Sequence, residues 1–454
     1  MPEQCPLPTE TASLCPICLQ RVPAHRQVIG DQVDLIKFCP EHGEFRALIW
    51  HGPPLLGDWN RPKIPSQPPV CFTESEGGCP YDCGLCPNHG QHSCSVLLEI
   101  TARCNLSCPV CFAASGSQAP ADPPLAEIDR WYQSAKRASG TDIVIQLSGG
   151  EPTVRDDLPE IIELGRKHGF GFIQLNSNGL RLAQEPGYAR LLKEAGLSNV
   201  FLQFDGTEDT ILRTLRGRDL FKDKILAIDH CVASGLGVVL VPTVVPGVNS
   251  DNLGAILDFA LDWAPGVRGV HFQPISYFGR FPKAPDDNDR ITLPQIMRAI
   301  EDQTGGRIRA EHFAPPGCEH SHCSFHGNFL VENNGTLRPL TKAGDCGCNK
   351  PKPAAEGAQK SKDFLTQQWA APSQNKGASP TGLNEFDTFI ERVRSHTFAV
   401  SAMAFQDAWN IDLERARSCC IHVMSNEETL IPFCLYNLTA ASGKPLYRET
   451  RHAD

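Results

Sequence analysis

The distribution of cysteine along the chain restricts its fold more than any other feature of the sequence. The chain has 454 residues and 20 cysteines, yet the long stretch between Cys111 and Cys318 contains Cys231 alone. A chain of this length can bury a core without disulfides, so its thiols are expected to hold metals in a reducing compartment. The pattern predicts a catalytic body poor in cysteine, flanked by metal-rich segments.

Charge and hydropathy exclude several classes of protein. The chain carries 42 basic and 52 acidic residues, a formal net charge of -10, and both signs are spread along it. Because no basic block stands out, no nucleic-acid partner is expected. The first residues lack the basic and apolar regions of a secretory signal, and no apolar run could span a bilayer. We therefore expect a cytoplasmic protein without a transmembrane segment.

Six short runs rich in β-branched and aromatic residues alternate with helix-length segments. This alternation predicts an α/β fold, a partial (β/α)6 parallel barrel with cysteine-rich, metal-binding N- and C-terminal extensions. In such a sheet, chemistry belongs on the loops at the C-terminal ends of the strands. The predicted strands are Val96–Thr101, Asp142–Leu147, Phe170–Leu175, Asn199–Phe204, Gly237–Pro242 and Gly269–Pro274.

The cysteine groups and changes in composition divide the chain into four parts. We expect a segment for one metal ion over residues 1–70, an auxiliary cluster segment over 71–95, the barrel over 96–310 and a C-terminal auxiliary cluster region over 311–454. Within the last part, residues 346–383 are rich in proline, lysine, alanine and glycine, which predicts a mobile insertion or linker.

Three cysteines with the spacing Cys-x3-Cys-x2-Cys, namely Cys104, Cys108 and Cys111, follow the first predicted strand. Three thiolates on one tight loop can ligate three irons of a [4Fe-4S] cluster. The fourth iron then lacks a nearby cysteine, and an open metal position is where a substrate or cofactor binds. A zinc site is the alternative, although structural zinc normally takes four protein ligands.

One βα unit later, the second predicted strand is followed by Gly149, Gly150 and Glu151. Two glycines at the end of a strand let the backbone come close to a ligand, and a carboxylate suits an ammonium group. The two motifs, in this order and on these elements, resemble the radical S-adenosylmethionine (SAM) superfamily. The resemblance implies that the three cysteines hold the cluster, that SAM chelates its open iron, and that the Gly-Gly-Glu segment contacts the SAM amino group.

The resemblance also implies the chemistry. An electron from the cluster cleaves SAM reductively, and a 5′-deoxyadenosyl radical abstracts hydrogen from an unactivated carbon. Hydrogen abstraction needs no general acid–base pair, so no catalytic side chain is predicted. The alternative class is an iron–sulfur electron carrier or zinc scaffold without SAM chemistry.

Polar residues at later strand ends are further candidates for the SAM pocket. The superfamily places small polar groups toward the ribose at the end of the third strand, and an arginine after the fourth could pair with the SAM carboxylate. The same residue types also cap strands and helices in unrelated proteins. The candidates are Asn176, Ser177, Asn178, Asp205, Arg216, Thr243 and Gln273.

A second motif with the same spacing lies in a proline- and glycine-rich stretch, with no strand before it and no Gly-Gly-Glu strand after it. We assign it to an auxiliary cluster with Cys94 as the expected fourth ligand, and Cys71 or His89 as alternatives. Its cysteines are Cys79, Cys83 and Cys86.

Two further metal sites are predicted near the ends of the chain. The first is tetrahedral and suits zinc or a single iron, with the ligands Cys15, Cys18, Cys39 and His42. The second is another auxiliary cluster with the preferred ligands Cys318, Cys323, Cys420 and Cys434. Its competing ligands are Cys419, Cys346 and Cys348.

Features from about Cys15 to Asn437 resemble one group of the superfamily, the tetraether-synthase-like proteins, which also includes pterin-modifying methylases. The resemblance is weak from Lys342 to Leu383. It implies coupling of lipid alkyl chains, our first expectation, or methylation of a dihydropterin. The segments that carry it are 15–43, 78–89, 146–158, 203–206 and 432–437.

Cofactors and partners follow from the same resemblance. The expected cofactors are a SAM-binding [4Fe-4S] cluster, SAM, one or two auxiliary [4Fe-4S] clusters and one zinc or iron ion. The expected partners are a small-molecule or lipid substrate and a low-potential electron donor of the ferredoxin or flavodoxin type. A lipid substrate would also allow peripheral contact with a membrane.

Overall fold

The computed structural model describes residues 9–116, 119–341, 351–371 and 385–448. The first elements are β1 (Glu10–Leu14), β2 (Arg21–Ile29), β3 (Gln32–Cys39), β4 (Gly43–His51), α1 (Leu56–Trp59) and β5 (Lys63–Ile64). Strands β1 to β4 form an antiparallel sheet in chain order. The turns after β1 and β3 lie at the same end of this sheet, which is where the first group of cysteines occurs.

The middle of the chain forms the predicted parallel sheet. Its strands are β6 (Ser95–Thr101), β7 (Val144–Gly149), β8 (Phe172–Ser177), β9 (Asn199–Gln203), β10 (Gly237–Val241), β11 (Thr243–Val244) and β12 (Val267–Pro274). Its helices are α2 (Leu125–Ser139), α3 (Leu158–Lys167), α4 (Leu180–Gln184), α5 (Tyr188–Glu194), α6 (Asp209–Arg216), α7 (Phe221–Ala233), α8 (Leu253–Asp262) and α9 (Leu293–Gln303).

Six of these strands run parallel, side by side, in the order β6-β7-β8-β9-β10-β12. A strand such as β10, Gly-Val-Val-Leu-Val, is buried over four of its five residues, because parallel strands are covered on both faces. Helix α2 buries Ile128, Trp131 and Tyr132, a spacing that places apolar side chains on one face of a helix. The partial (β/α)6 barrel with cysteine-rich extensions is therefore confirmed.

The C-terminal region enlarges the same sheet. Its elements are β13 (Ser324–Val331), β14 (Leu337–Pro339), β15 (Lys352–Pro353), α10 (Ala354–Trp369), α11 (Glu385–Ser395), β16 (Thr397–Met403), α12 (Leu413–Arg417), β17 (Ile421–Met424), β18 (Leu430–Pro432) and α13 (Phe433–Asn437). Strand β16 pairs in parallel with β12, and β17 pairs in parallel with β6. Residues beyond 310 thus add a parallel strand at each edge of the barrel sheet.

The prediction of a mobile insertion or linker over residues 346–383 did not foresee a helix in its described part, residues 351–371. Most of this part is helix α10, in which Ala354 and Ala358 are only 4% and 1% exposed. The proline that suggested a linker, Pro353, stands immediately before the helix, where it does not interrupt the hydrogen bonds. Alanine, lysine and glutamine, which are good helix formers, then prevail.

Some predictions fall on residues that the structure does not describe. Cys346 and Cys348, two of the competing ligands of the C-terminal site, lie outside the described residues. Within the described ranges, no helix is both long and apolar enough to cross a membrane.

Buried ionisable side chains connect the N-terminal sheet to the C-terminal region. Arg26 on β2 donates from Nη2 to Asp412 Oδ2 at 2.6 Å, and both side chains are almost fully buried. Lys37 on β3 is 1% exposed, and its Nζ donates to Ala408 O at 2.7 Å. The sheet therefore packs firmly against residues 408–412.

Candidate active site

The loop between β6 and α2 carries Cys104, Cys108 and Cys111, all half-buried. The backbone of Arg280 exchanges two hydrogen bonds with Cys111, at 2.9 and 3.0 Å, and its guanidinium donates to Cys108 O at 2.9 Å. These bonds fix the loop at the C-terminal end of β6. Burial raises the pKa of the Cys104 thiol to about 11, so a thiolate there requires a cationic partner such as iron.

Gly149 and Gly150 are required because the cysteine loop lies directly against them. A Cβ atom at Gly149 would lie 2.2 Å from Thr101 O, and one at Gly150 would lie 2.1 Å from Arg103 O. The Gly150 N–H donates to Thr101 O at 2.8 Å. We expected these glycines to leave space for a ligand, and both do line the cavity described below. The atoms closest to the two glycines are nevertheless backbone oxygens of this chain, at Thr101 and Arg103.

The carboxylate of Glu151 is 1% exposed and is held by donors from two loops. Its Oε1 accepts from Thr153 N at 3.1 Å, Thr153 Oγ1 at 2.7 Å and Ser177 Oγ at 2.8 Å. Its Oε2 accepts from Asn178 N at 2.6 Å. Glu151 therefore joins the loop after β7 to the loop after β8, and its contact with a SAM amino group stays a prediction.

The three polar residues at the end of β8 have different partners. Ser177 and the backbone of Asn178 bind Glu151, whereas the Asn178 side chain donates to Asn105 Oδ1 in the cysteine loop at 2.7 Å. Asn176 donates to Gln146 Oε1 at 3.1 Å inside the barrel. All three line the same cavity as the cysteine loop.

Arg216 already has a carboxylate partner in the structure, and its pairing with a SAM carboxylate stays a prediction. Its Nε and Nη2 donate to the Asp205 carboxylate at 2.6 and 2.8 Å, and Asp205 is fully buried. Thr243 donates its N–H to Asp205 and accepts from Arg216 at its Oγ1. The charge of Arg216 is thus already balanced within the protein. Gln273 on β12 lines the cavity nearby.

Sequence reasoning missed three polar residues beside the cysteine loop: Lys224, Arg280 and Asn105. Lys224 on α7 is 1% exposed, and its Nζ donates to Asn178 O at 2.6 Å and Gln203 Oε1 at 2.9 Å. Burial lowers its pKa to about 8. Lys224 and Arg280 come from distant elements and belong to no motif, whereas Asn105 lies within the cysteine spacing and could have been noticed there.

The cysteine loop opens on a cavity of about 740 Å³ inside the barrel. The cavity wall includes Ser95, where β6 begins, and Cys104, beyond its end, so the cavity spans the length of the strand. Helix α10 contributes Leu365 and Trp369. The segment that composition predicted as a linker therefore forms part of the wall.

At the other end of this cavity lie Cys94, Cys318 and Cys420, whose sulfurs are all within 4.8 Å of one another. The sulfurs of Cys94 and Cys318 are in bonding contact. The pairing of β17 with β6 explains the group, because Cys94 N donates to Cys420 O at 2.8 Å. Cys94 is therefore not placed with the second Cys-x3-Cys-x2-Cys motif, which corrects its predicted assignment.

The preferred C-terminal ligand set is also divided. Cys323 and Cys434 do not belong to this group of three cysteines: Arg415 Nη2 donates to Cys323 Sγ at 3.4 Å, and Gln406 N donates to Cys434 Sγ at 3.3 Å. Burial raises the pKa of Cys434 to about 12, and the Cys323 thiol adds to the increase. The two thiols are near enough to interact electrostatically, but each accepts its hydrogen bond from a different protein donor.

The N-terminal ligands converge as their spacing predicts. The ligand atoms of Cys15, Cys18, Cys39 and His42 all lie within 4.8 Å of one another. His42 Nδ1 is 3.7 Å from Cys15 Sγ and 3.4 Å from Cys39 Sγ. Three sulfurs and one ring nitrogen at these separations suit one tetrahedral ion.

A three-cysteine loop above a parallel barrel, with further cysteine groups around the barrel cavity, is the arrangement expected of an iron–sulfur enzyme. The sequence matches the family model of the Radical SAM superfamily over residues 98–260. It also matches the model described as the HMPTM N-terminal zinc ribbon domain over residues 7–51. The N-terminal sheet is hereafter called the ribbon.

The chain is 36% identical to the 7,8-dihydro-6-hydroxymethylpterin dimethyltransferase of Methanocaldococcus jannaschii, over 94% of this chain and 93% of that protein. The chain belongs to the radical SAM superfamily and is a radical SAM enzyme, as its motifs predict. Its cofactors accordingly include a [4Fe-4S] cluster and SAM, and its other thiol groups suit further metals.

Other similarities are partial. The chain is 32% identical to a probable GTP 3',8-cyclase of Methanothermobacter thermautotrophicus, over 38% of this chain and 55% of that protein. A crystal structure of Streptococcus suis SuiB bound to precursor peptide SuiA matches with a TM-score of 0.40 and 13% identity, over 48% of this chain and 46% of that one. The chain thus spans about half the length of each of these two proteins.

Proposed function

We propose that this enzyme methylates a dihydropterin held in the barrel cavity, with its SAM-binding cluster on Cys104, Cys108 and Cys111. When bound, the cluster and SAM supply a 5′-deoxyadenosyl radical that removes hydrogen from a substrate carbon. The observation that carries the substrate assignment is a row of neutral polar side chains across the cavity wall. The near full-length similarity to a dihydropterin dimethyltransferase supports it.

This polar row crosses three neighbouring strands. Gln146 Nε2 donates to Ser95 Oγ at 2.7 Å, and Asn176 Nδ2 donates to Gln146 Oε1 at 3.1 Å. All three residues line the cavity. Because they hold one another, their remaining donors and acceptors are oriented before a ligand enters. A pterin ring presents amide, amino and ring-nitrogen groups in one plane, which such a row can match.

A second side of the cavity is also polar but uncharged. His271 Nδ1 lies 2.8 Å from Ser401 Oγ, and burial lowers the pKa of His271 to about 4. Its imidazole is therefore neutral at physiological pH. A neutral, hydrogen-bonding wall suits an uncharged heterocycle better than an alkyl chain, which would leave these groups without partners.

For the SAM pocket, we propose that the cysteine loop and the segments packed on it hold SAM from one side. The backbone of Gly149 and Gly150 and the side chain of Glu151 would face its amino group. The polar ends of later strands would complete the pocket, with Asn176, Ser177, Asn178, Asp205, Arg216, Thr243 and Gln273 as the residues concerned.

The test follows the first step of the reaction. The reconstituted enzyme is incubated without oxygen with SAM, dithionite and 7,8-dihydro-6-hydroxymethylpterin carrying deuterium on its saturated carbons. We expect deuterium to appear in 5′-deoxyadenosine, as measured by mass spectrometry. Cys104→Ala should abolish 5′-deoxyadenosine formation. Gln146→Leu should keep SAM cleavage while lowering kcat/KM for the pterin about tenfold or more, the cost of one lost polar contact with a bound substrate.

Gln133→Leu is the matched control, because Gln133 is exposed on α2 and bonds only Asp129 among the described residues. It should leave both reactions unchanged. If 5′-deoxyadenosine forms but takes no deuterium from the pterin, the substrate assignment is wrong. Deuterium transfer from a labelled glycerolipid instead would support alkyl-chain coupling, our first expectation from the sequence.

We further propose that a ferredoxin- or flavodoxin-type protein supplies the electron and that the enzyme works in the cytoplasm. The support is chemical: an iron–sulfur centre needs a low-potential donor, and so many free thiols persist only in a reducing compartment. Replacing dithionite with a reduced ferredoxin or flavodoxin should sustain 5′-deoxyadenosine formation.

A further inference from the structure

The second Cys-x3-Cys-x2-Cys motif has three thiols, and no fourth cysteine is among the described residues that line a small cavity with them. Cys79 and Cys86 are 7% and 8% exposed, and with Cys83 they line one small cavity. The Cys83 N–H donates to the Tyr447 hydroxyl at 3.0 Å, which fixes the middle of the motif. This donor set fits three irons of a [4Fe-4S] cluster. Because Cys94 lies with Cys318 and Cys420, the fourth iron needs another ligand.

His89 lines the same cavity as the three thiols and is 5% exposed. Its Nε2 lies 2.8 Å from the backbone oxygen of Cys419. A carbonyl oxygen only accepts hydrogen bonds, so Nε2 carries the proton and Nδ1 keeps its lone pair. Among the described residues, none forms a hydrogen bond with His89 Nδ1.

This arrangement is the one that metal-binding histidines adopt. Such a histidine almost always donates its other N–H to a carbonyl or carboxylate, which fixes the tautomer and the ring orientation. The His89 ring is also held by His422, whose ring centroid lies 5.0 Å away at an angle of 68°. His422 is held in turn by Ser93, with 2.9 Å between Nδ1 and Oγ.

The competing ligand is Cys71, which is exposed. The bond from Phe72 N to Gly84 O, at 3.0 Å, keeps Cys71 near the motif. A ligand at this position would leave its side of the cluster open to solvent, whereas His89 closes the buried side.

We propose that His89 Nδ1 is the fourth ligand of an iron–sulfur cluster held by Cys79, Cys83 and Cys86. The inference rests on the proposed iron–sulfur content but not on the pterin substrate. Exchanging a thiolate for a neutral imidazole removes one negative charge from the site, and Arg417 in the cavity wall adds a positive one. Both changes raise the reduction potential above that of an all-cysteine site. A closed cluster of this kind would transfer electrons and would not bind substrate.

The experiment uses the full-length chain, reconstituted with iron and sulfide and with zinc in the ribbon. Protein grown with ¹⁵N-labelled histidine is compared with unlabelled protein by electron–nuclear double resonance of the reduced clusters. We expect a nitrogen coupling that changes with the label and is lost in His89→Cys. That variant should keep its four irons at this site, with a lower reduction potential.

Two more variants separate ligation from structural support. His89→Gln can still donate to Cys419 O but offers no imidazole, and we expect it to lose one iron and to show the signal of an oxidised [3Fe-4S] cluster. Cys71→Ser should keep the wild-type spectrum. His92→Ala is the matched control, since His92 bonds the backbone of Gln67 and should leave the nitrogen coupling unchanged.

Absence of a histidine coupling in the wild-type protein would overturn the proposal, and so would a [3Fe-4S] signal in Cys71→Ser. If Cys83→Ala leaves the iron content unchanged, the motif holds no cluster, and the proposal fails for that separate reason. None of these results depends on the pterin, so failure of the substrate assignment would be seen independently.

Discussion

At the scale of single residues, the active site depends on charges that the protein pairs with one another. Arg216 and Asp205 illustrate this, since their side chains are 13% and 0% exposed and bond at two points. The sequence identified both residues as site residues but could not show that they are partners. Their spacing in the chain gives no information about the loop that brings α6 back over the end of β9.

This pair predicts a large and specific loss of stability. Removing one partner of a buried ion pair leaves an uncompensated charge and costs about 3–5 kcal/mol. We expect this loss for Arg216→Met, measured as the free energy of unfolding in urea. The control lies on the same helix, where Arg213 pairs with Asp219 and both are more than half exposed. Arg213→Met should cost less than about 1 kcal/mol, and equal losses would contradict the argument.

A second residue-scale prediction concerns pH and Lys37. Burial lowers the pKa of Lys37 from 10.5 to about 7, so between pH 7 and 10.5 the unfolded chain binds more protons than the folded one. The Lys37 contribution to stability therefore increases as the pH rises through this window, by up to about 1.4 kcal/mol per pH unit. Urea unfolding at pH 7.5 and 9.5 should show a smaller increase in Lys37→Met than in the wild type.

The comparison variant for Lys37 is Lys283→Met, because Lys283 is an exposed lysine bonded to Asp289. Its stability should follow the wild-type dependence on pH. An identical pH dependence in wild type and Lys37→Met would show that Lys37 is charged in the folded protein.

At the scale of elements, the sequence predicted the strands well and the C-terminal helices less well. The six predicted strands match observed ones within two residues at each end, because buried parallel strands are marked by continuous apolar runs. Helix α10 was missed because two prolines and a glycine suggested a linker. Its helical state depends on contacts with strands that are distant in the sequence, so local composition could not reveal it.

One buried residue, Arg268 on β12, holds the ends of two helices. Its Nε donates to Gln368 O at 3.0 Å in α10, and its Nη1 donates to Ser395 O at 2.6 Å in α11. Hydrogen bonds from a charged group contribute about 1.5–3 kcal/mol each. We expect Arg268→Met to increase hydrogen–deuterium exchange across residues 354–369, measured by mass spectrometry.

Arg307→Met is the control for Arg268, because Arg307 forms an exposed ion pair with Asp258. Exchange over residues 354–369 should remain at the wild-type rate in that variant. If Arg268→Met also leaves exchange unchanged, apolar contacts such as the one between Trp369 and Phe201, whose ring centroids lie 4.7 Å apart, hold α10 without it.

At the scale of the whole molecule, the thiol groups lie around the barrel, and their membership was only partly predictable. The ligands of the ribbon and of the two Cys-x3-Cys-x2-Cys motifs are close in the chain, so spacing alone groups them. Cys94 and Cys318 are separated by 224 residues, and only the pairing of β17 with β6 brings Cys420 beside them. No local sequence pattern indicates that these three cysteines lie together, which is why the ligand set of the C-terminal cluster was predicted incorrectly.

The ribbon site provides the last prediction, which concerns removal of its metal. None of its four ligands lines the barrel cavity, and the ribbon contacts the C-terminal region through Arg26 and Lys37. Cys18→Ser should therefore release one metal ion and lower the melting temperature by several degrees. In a chain of this size, a loss of about 1 kcal/mol in the free energy of unfolding lowers the melting temperature by roughly 2–4 °C. The [4Fe-4S] content and 5′-deoxyadenosine formation should stay within about twofold of wild type.

The control is Cys71→Ser, which replaces an exposed cysteine outside the ribbon. This variant should retain the metal ion and the wild-type melting temperature. Loss of 5′-deoxyadenosine formation in Cys18→Ser, with the iron–sulfur content intact, would instead place the ribbon metal on the path of electrons to the active site.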